Sequence, residues 1–271
     1  MEMIKMNKSL YFFNLKNNLS MFLAFMGIIL MYATVATSMF DPETSDLMQQ
    51  FVDILPQTVV NMMGFTNFGT ELTGYLATYL YGFIMFIFPM IFIAMLTNKL
   101  VSKQIDDSSM SYLLTTPNSR VKIAATQALS VLTNIFALIL VNVLVVIIIS
   151  EIAFKGHLMI GRFIGLNFVL FGVMACVSGL TFLISVLISD YGKAVGMSSG
   201  LMGFLFIMNM IKNLNEDLDF FKYTTFLSLV NIDKILESTS FTLVAGSASL
   251  ISGLAIFAFS IYIFDRKSLT I

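Results

Sequence analysis

Charge is scarce in this chain. Its 271 residues include 15 basic and 16 acidic side chains, 11% of the total, against about 25% in an ordinary soluble domain. A formal net charge of -1 offers no field to attract phosphate, which excludes nucleic acid as a partner. A single cysteine, Cys176, excludes a disulfide framework and a Cys-based zinc site. A single histidine, His157, excludes a HExxH metal motif. There is no G-x-x-x-x-G-K-[ST] loop, so any ATP that powers this protein is bound in that manner by another polypeptide. Hydrophobic residues make up 58% and mean hydropathy is +0.89. That excludes a free soluble enzyme and a disordered chain. The reading is an all-α polytopic membrane protein.

Crossing the hydrocarbon takes about 20 apolar residues in a helix. Six stretches meet that need: 20–40, 75–96, 123–149, 161–189, 194–211 and 242–264. The third and fourth are long enough to tilt or project from the bilayer. Only Asp190-Tyr191-Gly192-Lys193 separates the fourth from the fifth, which predicts a tight helical hairpin.

The distribution of Lys and Arg orients the spans. With the N-terminus inside, the cytoplasmic segments hold ten basic residues: Lys5, Lys8, Lys16, Lys99, Lys103, Arg120, Lys122, Lys193, Arg266 and Lys267. The outer side holds Lys155, Arg162, Lys212, Lys222 and Lys234, and the 41–74 loop is acidic only. Both termini are therefore expected in the cytoplasm. Thr34-Val35-Ala36 resembles a signal cleavage site, but the apolar run before it exceeds the usual core of 7–15 residues. An uncleaved first span is favoured.

Between the spans, residues 3–18 read as an interfacial helix, with Met3, Ile4, Leu10, Tyr11 and Phe13 on one arc and Lys5, Ser9 and Lys16 opposite. The competing reading is a charged topogenic leader. Leu47, Phe51 and Leu55 at spacing four suggest a short amphipathic helix ended by Pro56. The 212–241 segment mixes Glu216, Asp217 and Asp219 with Phe220, Phe221, Phe226 and Leu229. It reads as re-entrant or surface-lying short helices.

The spans are nearly free of ionisable groups. Apart from tyrosine and cysteine they contain only Arg162, at the edge of the fourth, which argues against a charge-relay secondary transporter. Asn134, Asn142, Asn167 and Asn209 are expected as interhelical hydrogen-bonding groups. Gly196-Met197-Ser198-Ser199-Gly200 fits the G-x-S-x-G nucleophile pattern but lies in an apolar helical run with no histidine at hand. Gly196 and Gly200 are better read as a GxxxG packing face, as are Ala245, Ser249 and Gly253 in the last span.

The segment 97–122, between spans two and three, carries the most specific pattern. A helix runs on from span two and a second short helix follows near 108–115, with Asp106, Asp107 and Ser108 at its start. Pro117 stops it, and Asn118 or Ser119 caps the next helix. Met110, Leu113 and Leu114 give it an apolar surface.

Asp106-Asp107-Ser108, Tyr112-Leu113-Leu114 and Thr116-Pro117-Asn118-Ser119-Arg120 together resemble the pattern that follows the second span in permease subunits of type-2 ABC transporters. Leu55-Pro56, Gly64-Phe65 and Glu71-Leu72-Thr73-Gly74-Tyr75 look like that family's first outer loop. Two positions depart: Gln104 stands where members commonly carry an acid, and Gln127 near where they carry a lysine.

The resemblance implies a permease fold with no catalytic site or cofactor of its own. ATP and magnesium would be bound by two partner ATPase subunits, and a second permease chain would complete the assembly in the bacterial cell membrane. It also implies a coupling helix docking into the ATPase, formed by Gln104, Ile105, Asp106, Asp107, Ser108, Met110, Tyr112, Leu113, Leu114, Thr115 and Pro117. Within the family the chain looks closest to exporters of amphipathic peptides such as phenol-soluble modulins and lantibiotics. Drug or sodium export by the same architecture, and an ATP-independent channel or secondary transporter, are the alternatives.

The 27 phenylalanines and 20 methionines suit a cavity for amphipathic cargo, because thioethers repack around varied shapes. In span two, Tyr79, Phe83, Phe86 and Met90 fall on one helical face beside Pro89, where a bend is expected. Such a stripe either lines a cargo path or packs on lipid and neighbouring helices.

Overall fold

A computed structural model describes residues 7–41, 54, 56, 58–60, 71–115, 118–214 and 216–267. The expected amphipathic turn at Leu47, Phe51 and Leu55, the Gly64-Phe65 pair and Pro117 lie outside the described residues.

Among the described residues there are helices and no strands. Six helical stretches are long and apolar enough to cross a membrane. The first is α1 (Lys8–Ser38). The second, Leu72–Asp106, comprises α2 (Leu72–Tyr79), a π-helical turn (Leu80–Ile84), α3 (Met85–Leu100) and α4 (Ser102–Asp106). A short helix, α5 (Ser109–Leu114), leads to the third stretch, α6 (Arg120–Ala153). The fourth and fifth are α7 (Ile160–Leu187) and α8 (Tyr191–Ile211). Two 3-10 turns (Glu216–Thr224 and Phe226–Leu229) and α9 (Ile232–Glu237) then lead to α10 (Thr239–Arg266), the sixth.

Burial separates the lipid-type surface from the interior. Leu23 and Met31 of α1, Phe136 and Leu144 of α6, and Ile251 and Phe259 of α10 are exposed, while Asn14, Asn98, Thr126, Ser130 and Ser185 are buried. In water such a surface would be an aggregation liability. In hydrocarbon it matches the solvent, and these buried polar groups bond to one another or to backbone carbonyl oxygens.

The central helix is α7, which packs on α10, α3, α6 and α8. Its closest partner is α10. A Cβ placed on Gly253 would lie 2.6 Å from the Ala175 carbonyl carbon, and one on Gly172 would lie 2.6 Å from the Gly246 carbonyl oxygen. The Cys176 thiol donates to the Ser249 carbonyl oxygen at 2.9 Å. Ala245, Ser249 and Gly253 are all buried in this seam, and Gly172 and Gly179 of α7 complete it.

The glycines of α8 behave otherwise. Around Gly196 and Gly200 there is nothing within 4 Å of a built Cβ, so among the described residues no helix packs on this pair. GxxxG spacing states which residues share a face, and the neighbour that face meets is a tertiary matter.

The helix expected over 3–18 does not end before the membrane. From Lys8 onward it is continuous with span one in the 31-residue α1, about 46 Å long at 1.5 Å per residue. No glycine or proline interrupts its first turns. Asn7 and Asn14 interrupt the apolar arc of 3–18, and each has a partner: Asn7 Oδ1 caps the helix by accepting from the Leu10 N–H at 3.1 Å, and Asn14 Nδ2 donates to Ser130 Oγ at 3.2 Å, while Asn18 Nδ2 donates to the Asn14 carbonyl oxygen at 2.7 Å. The Tyr11 hydroxyl adds a bond to Thr133 Oγ1 at 3.1 Å. The Asn14 and Tyr11 bonds join α1 to α6, and the Asn18 bond stays within α1.

Of the four asparagines expected to bond between helices, two spend an amide N–H within their own helix. Asn134 and Asn167 donate to carbonyl oxygens of their own helices, Ser130 at 2.8 Å and Phe163 at 2.9 Å. The Asn142 side chain is buried without a hydrogen-bond partner.

Short helices do occupy the 212–241 segment, and Leu227 and Ile235 are its buried anchors. The side chains of Glu216, Asp217 and Asp219 lie outside the described residues.

Candidate functional site

The backbone at the end of span two turns twice. Val101, at φ -118° and ψ -76°, joins α3 to α4, and Ser108, at φ 59°, joins α4 to α5. A left-handed residue with a Cβ is disfavoured by about 1–2 kcal/mol, which restricts this corner to small or polar residues. Asp107 Oδ1 accepts from the Ser109 N–H at 3.0 Å and closes the turn. Hydrogen bonding from Ser109 is the main reason its carboxyl is held below the usual aspartate pKa. Ser119 then caps α6, accepting from the Lys122 N–H at 3.2 Å.

Within this corner the side chains divide by face. Met110 is fully buried and Ile105 nearly so. Leu113 and Leu114 are half-buried and pack against the core. Tyr112 is 78% exposed, and Asp106, Asp107, Ser108 and Thr115 share the open side. The apolar residues to which the resemblance gives a docking role thus mostly hold α5 to its own bundle. Gln104 accepts a hydrogen bond from Gln127 Nε2 at 2.7 Å, so the two positions that depart from the resembled pattern pair with each other as neutral amides. Arg120 Nη1 donates to the Lys267 carbonyl oxygen at 2.8 Å. Lys267 Nζ in turn donates to the Val186 carbonyl oxygen at 2.7 Å and to Ser189 Oγ at 3.0 Å, closing the end of α7. Burial holds the Lys267 pKa below the usual lysine value.

A buried polar hub anchors the corner to the bundle. Asn98 Nδ2 donates to Ser198 Oγ of α8 at 3.1 Å, and Ser185 Oγ of α7 donates to Asn98 Oδ1 at 2.8 Å. Ser102 Oγ donates to the Asn98 carbonyl oxygen at 3.1 Å. Three spans therefore meet on one amide, two residues beyond the end expected for span two. Its interhelical role has no signal in spacing, because the serines come from sites about a hundred residues away. Ser198, the nominal nucleophile of the G-x-S-x-G pattern, is one of its partners. Asn98→Leu is expected to lower bundle stability by about 1–3 kcal/mol, given roughly 0.6 kcal/mol for each intramembrane hydrogen bond plus the buried hydroxyls left behind. Thermal unfolding in detergent measures it, with Asn209→Leu as a comparison outside the hub.

The proposed cargo stripe does not survive as one face. The π-helical turn at Leu80–Ile84 inserts an extra residue per turn, one turn ahead of Pro89, and so breaks the register between Tyr79 and Met90. Tyr79 packs against Tyr75 with its ring tilted by 41° at 4.5 Å between centroids, and Phe83 meets Phe206 of α8 edge-on at 5.7 Å. Phe86 is buried in the core. Met90 lines a groove of about 270 Å³ between α3 and α8, with Ala94, Ser199, Met202, Gly203 and Phe206.

Beside the corner, α1, α3, α4, α5 and α6 line a second, open-sided cavity of about 720 Å³. Among the described residues no group of three or more His, Cys, Asp or Glu side chains is placed to hold a metal ion. Comparison of this chain with protein-family models, with curated proteins and with solved structures finds no match.

Proposed function

We propose that the chain is the permease subunit of a bacterial ATP-driven exporter of the type-2 ABC kind, and not itself an enzyme. The observation that carries the reading is the corner at 101–115. A short helix is fastened by Met110 and Ile105 to the bundle end and leaves Tyr112, Asp106 and Asp107 bare. The resembled pattern takes Gly or Ser at the position of Ser108, and the left-handed backbone there supplies a physical reason. In this reading residues 104–117 form the coupling segment, two ATPase subunits bind ATP and magnesium, and both termini lie in the cytoplasm beneath the cell membrane.

The second permease chain is assigned to the face of α8 that carries Gly196 and Gly200, where this chain leaves open space. Cargo is assigned to the adjoining α3–α8 groove, with Met90, Met202 and Phe206 as its apolar contacts. Such a surface suits a hydrophobic or amphipathic peptide or drug. Opening the groove toward either side of the membrane, driven by movement of the attached corner, would give alternating access.

The test is reconstitution. Vesicles containing this chain and its ATPase should move a fluorescent amphipathic peptide only when ATP is supplied, and vesicles containing this chain alone should not. Transport by the chain alone would establish a channel or secondary transporter instead.

A further inference from the structure

We infer that the 720 Å³ cavity beside the corner binds the headgroup of one anionic phospholipid. This rests on reading the six long helices as membrane spans, which places the cavity at the level where headgroups lie.

Its lining is amphipathic. Leu10, Phe13, Leu100, Leu113 and Ile123 supply apolar walls, and Lys99 and Lys103 supply two cations. The one acid in the lining, Asp107, already accepts from the Ser109 N–H. Lys99 Nζ is held by the Asn17 carbonyl oxygen at 3.3 Å, which fixes one ammonium at the cavity wall without neutralising it. Asn18, also in the lining, is buried, and its Oδ1 has no hydrogen-bond partner.

The neighbouring surface continues the pattern. Phe12 and Phe13 are both more than half exposed on α1, in the position of aromatic side chains that settle at a membrane interface. A free phosphate would match the lysines but leave the apolar walls without a function. A phosphodiester attached to acyl chains matches both. Because Leu113 belongs to α5, an occupying lipid would brace the corner from within the membrane.

Native mass spectrometry of the full-length chain in detergent tests this with three probes: phosphatidylglycerol, phosphatidylcholine and glycerol 3-phosphate. Phosphatidylglycerol should bind one per chain, and the Lys99→Gln/Lys103→Gln double variant should bind it about 30-fold more weakly, as expected for two basic residues near an anionic lipid. Lys99→Arg/Lys103→Arg should retain binding, and Asp107→Asn should tighten it by at least about threefold, since it removes the opposing charge.

Equal binding of phosphatidylcholine, or wild-type affinity in the double Gln variant, overturns the inference. So does glycerol 3-phosphate binding as tightly as the lipid, which would make this a phosphate site. If the double Gln variant does not fold, unchanged affinity in Asp107→Asn is decisive against it. The measurement involves no ATPase, so its failure leaves the exporter reading standing. Failure of ATP-driven transport likewise leaves the lipid site standing.

Discussion

Gly253→Leu is expected to abolish recovery of folded, monodisperse protein. A Cβ at this position would sit 2.6 Å from the Ala175 carbonyl carbon and 2.8 Å from the Cys176 nitrogen. Both are backbone atoms of α7, so no rotamer change can relieve the clash. The two helices would have to separate along the seam that also holds Gly172, Gly246 and the Cys176 thiol bond to Ser249. Overpacking a core side chain commonly costs about 1–3 kcal/mol. Spreading the central helix from its principal partner should cost more, out of a total stability of about 5–15 kcal/mol.

Gly200→Leu supplies the contrast. It meets open space within this chain, so yield and melting temperature should stay near wild type, while permease pairing, read by crosslinking in membranes, should weaken. Size-exclusion profiles and thermal unfolding decide both. A Gly253→Leu protein as monodisperse and stable as wild type would show that the α7–α10 seam is not closely packed.

If the chain is the proposed permease, Tyr112→Asp is expected to lower its affinity for a partner ATPase by about 30-fold while leaving the fold intact. Tyrosines at interface centres commonly contribute 2 kcal/mol or more, and an acid in the docking cleft would add desolvation. The side chain is 78% exposed and the backbone around it is held by Met110 and by the Asp107 turn. The change should therefore leave bundle stability near wild type. Substituting Leu113 and Leu114 would confuse the two effects, since both are half-buried against the core. Co-purification in mild detergent and stimulation of ATP hydrolysis measure the result. If Tyr112→Asp binds and stimulates like wild type, the corner is not the coupling surface.

Local physics made much of this molecule legible from its residues. In hydrocarbon each helix must satisfy its own backbone hydrogen bonds, so a long apolar run is sufficient to mark a span. All six expected stretches coincide with long helices to within a few residues, apart from the helical extensions at the ends of spans one and two. The same holds for the short-range devices of the corner. Asp107 and Ser119 bond to N–H groups two and three residues ahead, and Asp190 caps α8 through the Lys193 N–H at 2.8 Å.

What depended on the tertiary structure is which face meets which neighbour. Gly196 with Gly200 and the row Ala245, Ser249 and Gly253 are alike as sequence, small residues at spacing four, yet among the described residues the first pair faces open space while Gly253 faces the backbone of α7. Asn98 lay just past a span boundary, and only the approach of Ser185 and Ser198 makes it a hub. The stripe from Tyr79 to Met90 assumed 3.6 residues per turn throughout, whereas the π-helical turn shifts its second half onto another face. Helical periodicity orders residues around one axis. The rotation of that axis within the bundle is set by contacts between residues far apart in the chain, and those contacts decide whether a small residue, an amide or a phenylalanine packs, bonds or stands open.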